Sequence, residues 1–239
     1  MLYADGMTRT AHEPRIARVA AMVADPARSL MLAYLLSGEW ASAGELATAA
    51  SVTPATASGH LSKLLEAGLL VCQARGRHRY YQLADQDVAH ALEALAVVAE
   101  RSIHERMWEH PTRKRLRFAR CCYGHLAGQL GVSVLTALHG QGGLKANRDG
   151  YELTPAGLAW LSKMDLQPKA PSSGRRFAYP CLDWSERKDH LAGQLADELL
   201  QHFIQKAWVR RVDGRALDLT PLGIQALLPM LLTPAAHNA

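Results

Sequence analysis

The sequence predicts an α+β chain, mainly α-helical with small β-hairpins, made of an N-terminal winged helix-turn-helix and a C-terminal duplicated helix–hairpin–helix domain. Two short amphipathic helical patterns flank residues 51–54 and precede an arginine-rich hairpin pattern, which indicates the first part. The run HLAGQL occurs twice, from His125 and from His190, which indicates the second. The predicted divisions are a flexible tail at 1–14, a winged-helix domain at 15–110 and a tandem-repeat domain at 111–239, with copies at about 121–166 and 177–233.

Composition limits the classes of protein that fit. The formal net charge is +5 and the pI about 9.1, a modest basic excess that is compatible with nucleic-acid binding. The sequence has no apolar run long enough to span a membrane and no signal-peptide pattern. Its four cysteines, two of them adjacent, do not resemble the disulfide framework of a secreted protein. We therefore expect a cytoplasmic protein with reduced thiols and no membrane partner.

Two helices are predicted ahead of the helix-turn-helix, at residues 15–22 and 25–36. Asp25 and Pro26 suit the cap and first position of the second helix, and Gly38 suits its end. The residues expected to face the core from this helix are Leu30, Ala33 and Tyr34.

The helix-turn-helix and its wing are predicted between residues 42 and 84. Thr53 is a good N-cap and Pro54 suits a first helical position, so the second helix has a marked start, and Gly68 ends it. Strands at 69–74 and 80–83 would flank a basic tip. The apolar residues at helical spacing are Leu46, Ala47 and Ala50 in the first helix, and Ala57, Leu61, Leu64 and Leu65 in the second.

The outer face of the second helix and the hairpin tip together suit double-stranded DNA. A helix with small or polar side chains can approach base edges in the major groove, and arginines at a tip suit phosphate or minor-groove contact. The alternative is a polar exposed helix beside a solvated turn. The predicted DNA-binding residues are Thr53, Thr56, Ser58, Gly59, His60, Ser62 and Lys63 on the helix, and Arg75, Arg77, His78 and Arg79 at the tip.

At these residues a family resemblance emerges. The run TASGHLSKLLEAGLL from Thr56, with RGRHRYYQL from Arg75, resembles the ArsR family of bacterial winged-helix regulators. The resemblance implies a homodimeric transcriptional repressor that leaves its operator when a signal binds. The best-known metal site of this family is a cysteine motif on the first helix of the helix-turn-helix. Residues 44–50 contain no cysteine or histidine here, so any signal is expected to bind elsewhere.

A long helix at 85–108 is predicted to form the homodimer. Its apolar residues recur every three or four positions, as in a two-helix seam, although the same stripe could pack on its own domain. The seam residues are Val88, Leu92, Leu95 and Ala99. Some relatives bind metal on this helix. The comparable groups here are Asp87, His90, Glu100 and His104, and their spacing departs from the relatives' pattern.

The basic segment at 111–120 has two interpretations: contact with flanking DNA phosphates, or a solvated charged face. Beyond it, each repeat is expected to form a helix (125–139 and 188–205), a hairpin turning at 148–150 or 213–214, and a helix capped by Thr154 or Thr220. A flexible linker is expected at 167–176, and Gly128 and Gly193 are expected to let the two long helices approach closely.

Both repeats carry cysteine ahead of the shared histidine. This arrangement resembles a subset of the same family with a C-Y-D-H-L-A-G run, except that Gly124 replaces the aspartate, while Asp189 keeps an acid in the second copy. Whether Gly124 disables one repeat stays open. The cysteines could form a thiol switch, bind a soft metal or arsenite, or be buried structural residues. The sensor candidates are Cys121, Cys122, His125, Cys181 and His190. Cys72 is expected in the core.

The leading interpretation is a DNA-binding repressor, not an enzyme, that responds to thiol oxidation, a soft metal or a small ligand in its C-terminal domain. No cofactor is certain, and a soft metal or arsenite at the cysteines is the candidate. The alternatives are a cysteine-dependent enzyme using Cys122 and His125, for which no third orienting group is evident, or a module that recruits another protein.

Overall fold

The computed structural model describes residues 16–102, 108–212 and 214–232. Its first half is a winged helix-turn-helix with a small antiparallel sheet in the order β1-β3-β2. The elements of this half are α1 Ile16–Val23, α2 Pro26–Leu35, β1 Ala41–Ser42, α3 Ala43–Ala49, α4 Pro54–Glu66, β2 Leu70–Arg75, β3 His78–Leu83 and α5 Gln86–Ala99, which continues as a 3-10 turn over Glu100–Ser102. The predicted tail at 1–14 and residue His104 lie outside the described residues.

Local capping explains where the two helices of the helix-turn-helix begin. Ser42 and Glu45 form a capping box at the start of α3. At α4, the Thr53 hydroxyl accepts a hydrogen bond from the Thr56 N–H at 3.2 Å, and Pro54 follows as the first helical residue. The predicted apolar stripe is buried, with Leu65 half-buried. The predicted fold class is therefore confirmed for this half.

Two details of the predicted core are wrong. Leu30 is 50% exposed and Ala33 is also exposed, because the buried stripe of α2 runs through Met31, Leu32 and Leu35, one residue further along the helix. Cys72 is exposed, because β2 is an edge strand of the sheet and of its residues only Leu70 is buried.

The second half contains two copies of a hairpin–helix–hairpin–helix unit. It begins with the basic helix α6 Pro111–Phe118. The first copy comprises β4 Arg120–Cys122, β5 His125–Ala127, α7 Gly128–Gly140, β6 Leu144–Asn147, β7 Gly150–Leu153 and α8 Pro155–Ser162. The second comprises β8 Tyr179–Leu182, β9 Asp189–Ala192, α9 Gln194–Gln205, β10 Val209–Arg211, β11 Leu217–Leu219 and α10 Pro221–Leu232. The predicted helix–hairpin–helix order is present in each copy, with an additional hairpin ahead of it.

The predicted starts of the two long helices are wrong by several residues. His125 and His190 lie on strands, and the helices begin at Gly128 and Gln194. Gly128 and Gly193 have φ values of 80° and 97°, a left-handed conformation that separates strand from helix and favours glycine. A Cβ atom would lie 2.6 Å from the Arg117 carbonyl oxygen at Gly128, and 2.7 Å from the Phe177 carbonyl oxygen at Gly193. The missing side chain at each glycine therefore makes room for the backbone of an earlier segment, and the predicted close approach of two helices at these glycines is wrong.

Each half has its own apolar core. One core joins Met31, Leu46, Leu61 and their neighbours, and the other joins α7 and α9 around Leu138 and Phe203. The segment at 167–176 is irregular but bonded to α9 through Gln194 and Glu198, which departs from the expected flexible linker. No helix in the described parts of the chain has the length and apolar character needed to cross a membrane.

Candidate nucleic-acid interface and cysteine–histidine cluster

The predicted recognition face of α4 is at the surface. Six of its seven predicted residues are exposed, and a Cβ at Gly59 would meet nothing within 4 Å among the described atoms. His60 is half-buried, and its Nδ1 lies 3.7 Å from Asp25 Oδ1. The exposed residues are Thr53, Thr56, Ser58, Gly59, Ser62 and Lys63. The geometry therefore leaves a surface of small and polar groups that a duplex could approach closely.

The wing is the tip of the β2–β3 hairpin. Arg75, Arg77, His78 and Arg79 are all exposed, and the turn lies at residues 76–77. Arg75 is oriented by its neighbours, since its guanidinium donates to Gln73 Oε1 at 3.1 Å. The tip thus exposes three arginines on a hairpin whose first strand contacts α4.

The basic helix α6 is largely neutralised within the chain. Arg113 donates two hydrogen bonds to Glu100, at 2.8 and 2.9 Å. Arg115 and Arg117 lie 3.2 and 2.7 Å from Asp218 and Glu186. Arg120, included in the predicted exposed segment, is fully buried. Three of the arginines that were candidates for phosphate contact are therefore paired with carboxylates of the same chain.

The predicted dimer stripe on α5 is partly exposed. Val88 and Leu92 pack half-buried on their own core, whereas Leu95 is 48% exposed and Ala99 is also exposed. The α5 face opposite this stripe carries Glu93, which is buried.

Among the described residues, the three possible metal ligands on and just after α5 do not converge. Asp87 is exposed. The His90 ring lies 3.0 Å from the Tyr179 hydroxyl, and Glu100 is held by Arg113.

The structure brings four of the five sensor candidates together. Cys122 pairs directly with His125 across the β4–β5 hairpin, and Cys181 pairs with His190 across β8–β9. The two hairpins contact each other, so that the two thiols and two imidazoles are all buried, with their ligand atoms within 4.8 Å of one another. The two Nε2 atoms are 3.2 Å apart. We call these four residues the Cys–His cluster.

Cys121 does not belong to the Cys–His cluster. Successive residues of a strand point to opposite faces, so Cys121 is directed away from Cys122. Its thiol instead donates to the Ser37 carbonyl oxygen at 3.1 Å.

Carboxylates stand behind both imidazoles. Asp183 Oδ2 lies 3.2 Å from His190 Nδ1, and Asp197 Oδ1 lies 3.9 Å from His125 Nδ1. Asp183 is fully buried and also pairs with Arg120 at 2.9 Å. Sequence reasoning missed these acids and considered Asp189, which is exposed. The signal that could have revealed Asp183 is the insertion between Cys181 and His190 that the first repeat lacks.

The two thiols of the cluster differ in pKa, and so do its two imidazoles. The Cys122 thiol donates toward Cys181, which raises the pKa of Cys122 well above its ordinary value and, with the imidazoles, lowers the pKa of Cys181 to about 2. Burial lowers the pKa of His125. Burial also opposes protonation of His190, but contact with Asp183 and Cys181 raises its pKa to about 9. A thiolate on Cys181 beside an imidazolium on His190 is the state that these directions favour.

These shifts predict how stability depends on pH. Cys181 and His125 have depressed pKa values in the fold, so their contributions are present above the unfolded values and are lost as pH falls. His190 has a raised pKa, so its contribution is full below pH 6.5 and is lost as pH rises through about 9. Between pH 6.5 and about 9, the Cys181 contribution to the free energy of unfolding rises with pH as fast as the His190 contribution falls, so the two cancel. Below 6.5 the His190 contribution no longer changes with pH, so the Cys181 contribution falls by about 1.4 kcal/mol per pH unit, and the lowered pKa of His125 adds to the loss.

We therefore expect the free energy of unfolding of chelator-treated protein to be nearly level from pH 7 to 8.5 and to fall from pH 6.5 to 5. Urea denaturation at each pH measures it. Cys181→Ser should have a shallower acid slope, and Cys72→Ser should match the wild type. Unchanged wild-type stability down to pH 5 would contradict these protonation states.

Residues adjoining the cluster touch the winged-helix half. The Tyr123 N–H donates to the Leu36 carbonyl oxygen at 2.7 Å, at the end of α2. The Tyr179 hydroxyl contacts Gln86 and His90 on α5. Arg215, a half-buried residue whose carbonyl oxygen accepts a hydrogen bond from the Cys121 N–H of β4 at 2.8 Å, pairs with Glu93 on α5. A movement of the hairpins that carry the cluster would thus act directly on α2 and α5 through these contacts.

Comparison with known proteins adds independent information. A family model described as a helix-turn-helix domain matches residues 23–73. The chain is 42% identical over 212 residues to the HTH-type transcriptional regulator YdfF of Bacillus subtilis (strain 168), covering 88% of this chain and 94% of that protein. It is 38% identical over 92 residues to the HTH-type transcriptional regulator CmtR of Mycobacterium tuberculosis (strain H37Rv), covering 38% of this chain and 77% of that protein.

Two solved structures resemble the N-terminal part. One is a homodimeric winged helix-turn-helix DNA-binding domain from Mycobacterium bovis, 31% identical, covering 40% of this chain and 84% of that one with a TM-score of 0.34. The other is the cadmium metal-sensor CmtR from Mycobacterium tuberculosis, 39% identical, covering 33% of this chain and 81% of that one with a TM-score of 0.29.

Proposed function

Because this chain belongs to the ArsR family of winged helix-turn-helix transcriptional regulators, we propose that it is a homodimeric repressor whose affinity for an operator is controlled by a signal at the Cys–His cluster. In this proposal residues 15–110 bind DNA and dimerise, and residues 111–239 sense the signal. The observation that carries the proposal is that the polar face of α4 and the arginine tip of the wing are both exposed.

Dimerisation is proposed through the stripe Val88, Leu92, Leu95 and Ala99. The exposure of Leu95 and Ala99 supports it, since a partner helix would cover apolar surface that the protomer leaves in water. Pairing two copies would place two α4 helices about one DNA turn apart, roughly 34 Å. An operator with two half-sites at that spacing is the matching DNA.

The signal is proposed to be a soft metal or thiol oxidation at the cluster. The buried convergence of two thiols and two imidazoles supports this choice. A ligand alters DNA affinity only when it binds one conformation better than another. The contacts of Tyr123 with α2 and of Tyr179 with α5 supply such a link.

The alternatives have less support. An enzyme using Cys122 as nucleophile would need an accessible thiolate, yet Cys122 is buried and its pKa is raised by its hydrogen bond to Cys181. Recruitment of another protein has no specific feature in its favour in the part of the chain that the structure describes.

The DNA-binding proposal is tested with the Ser62→Ala/Lys63→Ala variant. These exposed side chains lie on the recognition face, so we expect at least a 10-fold weaker affinity for an operator selected from genomic fragments, about 1.4 kcal/mol. Fluorescence anisotropy at fixed salt measures it. Lys145→Ala, an exposed lysine on the β6–β7 hairpin, is the control and should bind normally. Equal affinity of all three proteins would exclude α4 as the reading helix.

A further inference from the structure

We infer that Cys122, His125, Cys181 and His190 form a closed tetrahedral site for one divalent ion of the zinc class per chain. The inference deepens the proposed function, on which it rests for the idea that the cluster receives the signal. The site itself is argued from geometry, so it can be tested without DNA.

The duplication builds the site with two equivalent pairs. Each repeat contributes one cysteine and one histidine that face each other across a hairpin. Cross-strand partners project to the same face of a hairpin, so each pair already presents a sulfur and a nitrogen side by side. Contact between β5 and β9 then brings the two pairs together, with all four ligand atoms within 4.8 Å of one another. The set is complete within one chain.

The separations suit a small tetrahedral ion. Zn–N distances of about 2.0–2.1 Å in a tetrahedron require two ligand nitrogens about 3.3 Å apart, and Zn–S distances of about 2.3 Å require sulfurs about 3.8 Å apart. The observed Nε2–Nε2 distance is 3.2 Å, and the remaining pairs fall within the 4.8 Å limit. Little movement is therefore needed to place an ion at the centre.

The carboxylates behind the two imidazoles orient them for coordination. A metal-bound histidine ordinarily donates its other N–H to a carboxylate or carbonyl. Asp183 stands at 3.2 Å from His190 Nδ1 and Asp197 at 3.9 Å from His125 Nδ1, so both Nε2 atoms turn to the centre. Among the described residues, buried Asp197 Oδ1 and His190 Nδ1 have no partner with hydrogen-bond geometry, so a small closing movement would satisfy both.

The donor set selects the class of ion. Two sulfurs and two imidazoles in a tetrahedron favour zinc, with its larger congener cadmium, over magnesium or calcium, which require oxygen ligands. Arsenite is disfavoured because it takes three thiolates, whereas the third C-terminal cysteine, Cys121, is bonded to Ser37. Four protein ligands fill all the coordination positions of a tetrahedral ion. Such a closed site is typical of a structural or regulatory metal and not of a catalytic one.

One side of the Cys–His cluster adjoins a cavity. The cavity has a volume of about 360 Å³, lies between α5 and β8, and is lined by His90, Val97, Tyr179 and Cys181.

The test uses the full chain, reduced and treated with chelator, and Co²⁺ as a spectroscopic probe. We expect one Co²⁺ per chain, with the intense visible bands of tetrahedral coordination and a thiolate charge-transfer band, both abolished by one equivalent of Zn²⁺. Cys122→Ser and His190→Ala should lose these bands, and Asp183→Asn should weaken binding by about 10–100-fold. Cys121→Ser and Cys72→Ser should retain wild-type spectra.

A second measurement guards against variants that fail to fold. In the wild type, one equivalent of Zn²⁺ should protect Cys122 and Cys181 from alkylation under partial denaturation, while exposed Cys72 reacts at an unchanged rate. The inference would be overturned by weak octahedral spectra, by no binding, or by binding that survives Cys122→Ser. It would also be overturned if the chain takes no metal and mild peroxide instead forms a Cys122–Cys181 disulfide. Tight tetrahedral binding with unchanged DNA affinity would retain the site and reject its role as the signal.

Discussion

Replacing Asp183 by alanine is expected to lower the free energy of unfolding by about 3–5 kcal/mol, the cost of leaving a buried charge without its partner. Asp183 and Arg120 are both fully buried and pair at 2.9 Å. The carboxylate also accepts hydrogen bonds from the Gly128 N–H at 2.7 Å and from Ser185. Alanine removes all of these acceptors together and leaves the Arg120 charge in a dry environment.

Urea denaturation followed by tryptophan fluorescence measures this change, because Trp184 lies under the Arg120 guanidinium, 4.4 Å from ring centre to Cζ. The matched control is Asp189→Ala, which removes an exposed carboxylate on the same hairpin and should change stability by less than about 0.5 kcal/mol. An Asp183→Ala protein as stable as the control would show that the Arg120–Asp183 pair contributes nothing to the fold.

The Arg77→Ala/Arg79→Ala variant is expected to bind DNA much more weakly. Removing two phosphate contacts from each protomer lowers the slope of log affinity against log salt by about 1.8 per protomer, or about 3.6 for the proposed dimer, and at 0.15 M salt this weakens binding by roughly 30-fold for each protomer that contacts DNA. Both arginines are exposed at the wing. Anisotropy titrations at several salt concentrations measure the affinity and the slope together.

Arg210→Ala supplies the control for charge. Arg210 is exposed on the C-terminal hairpin β10–β11, where it pairs with Asp218 at 3.1 Å. Its removal lowers the net charge without touching the proposed interface, and the salt slope should stay at the wild-type value. A wing variant with the wild-type slope would place the phosphate contacts elsewhere on the protein.

The sequence was most informative where a local signal sets the structure. Thr53 and Pro54 mark the start of α4 through capping, which depends on adjacent residues. Gly128 and Gly193 were expected to allow two helices to approach, but their left-handed conformation and the nearby backbone of Arg117 and Phe177 depend on tertiary packing. The hairpin ahead of each long helix was therefore missed, and both helices were predicted to begin too early.

The candidate site was only partly predictable for the same physical reason. The repeat pointed to five sensor candidates, which are Cys121, Cys122, His125, Cys181 and His190. The strand alternation that excludes Cys121 follows only once β4 is known to be a strand. Asp183 and Asp197 come from an insertion and from α9, and only tertiary packing brings them behind the imidazoles. Cys72 was misassigned because a strand pattern does not reveal that β2 lies at an edge.

Operator affinity measured with and without metal tests the central claim most directly. Wild-type protein, reduced and chelator-treated, is titrated onto a selected operator by anisotropy, with and without one equivalent of Zn²⁺ or Cd²⁺ per chain. The account predicts an affinity change of about 5–150-fold, the ordinary range of coupling between two sites, and no change for Cys122→Ser. Identical affinities for the wild type with and without metal, at a concentration where the cluster is filled, would contradict it.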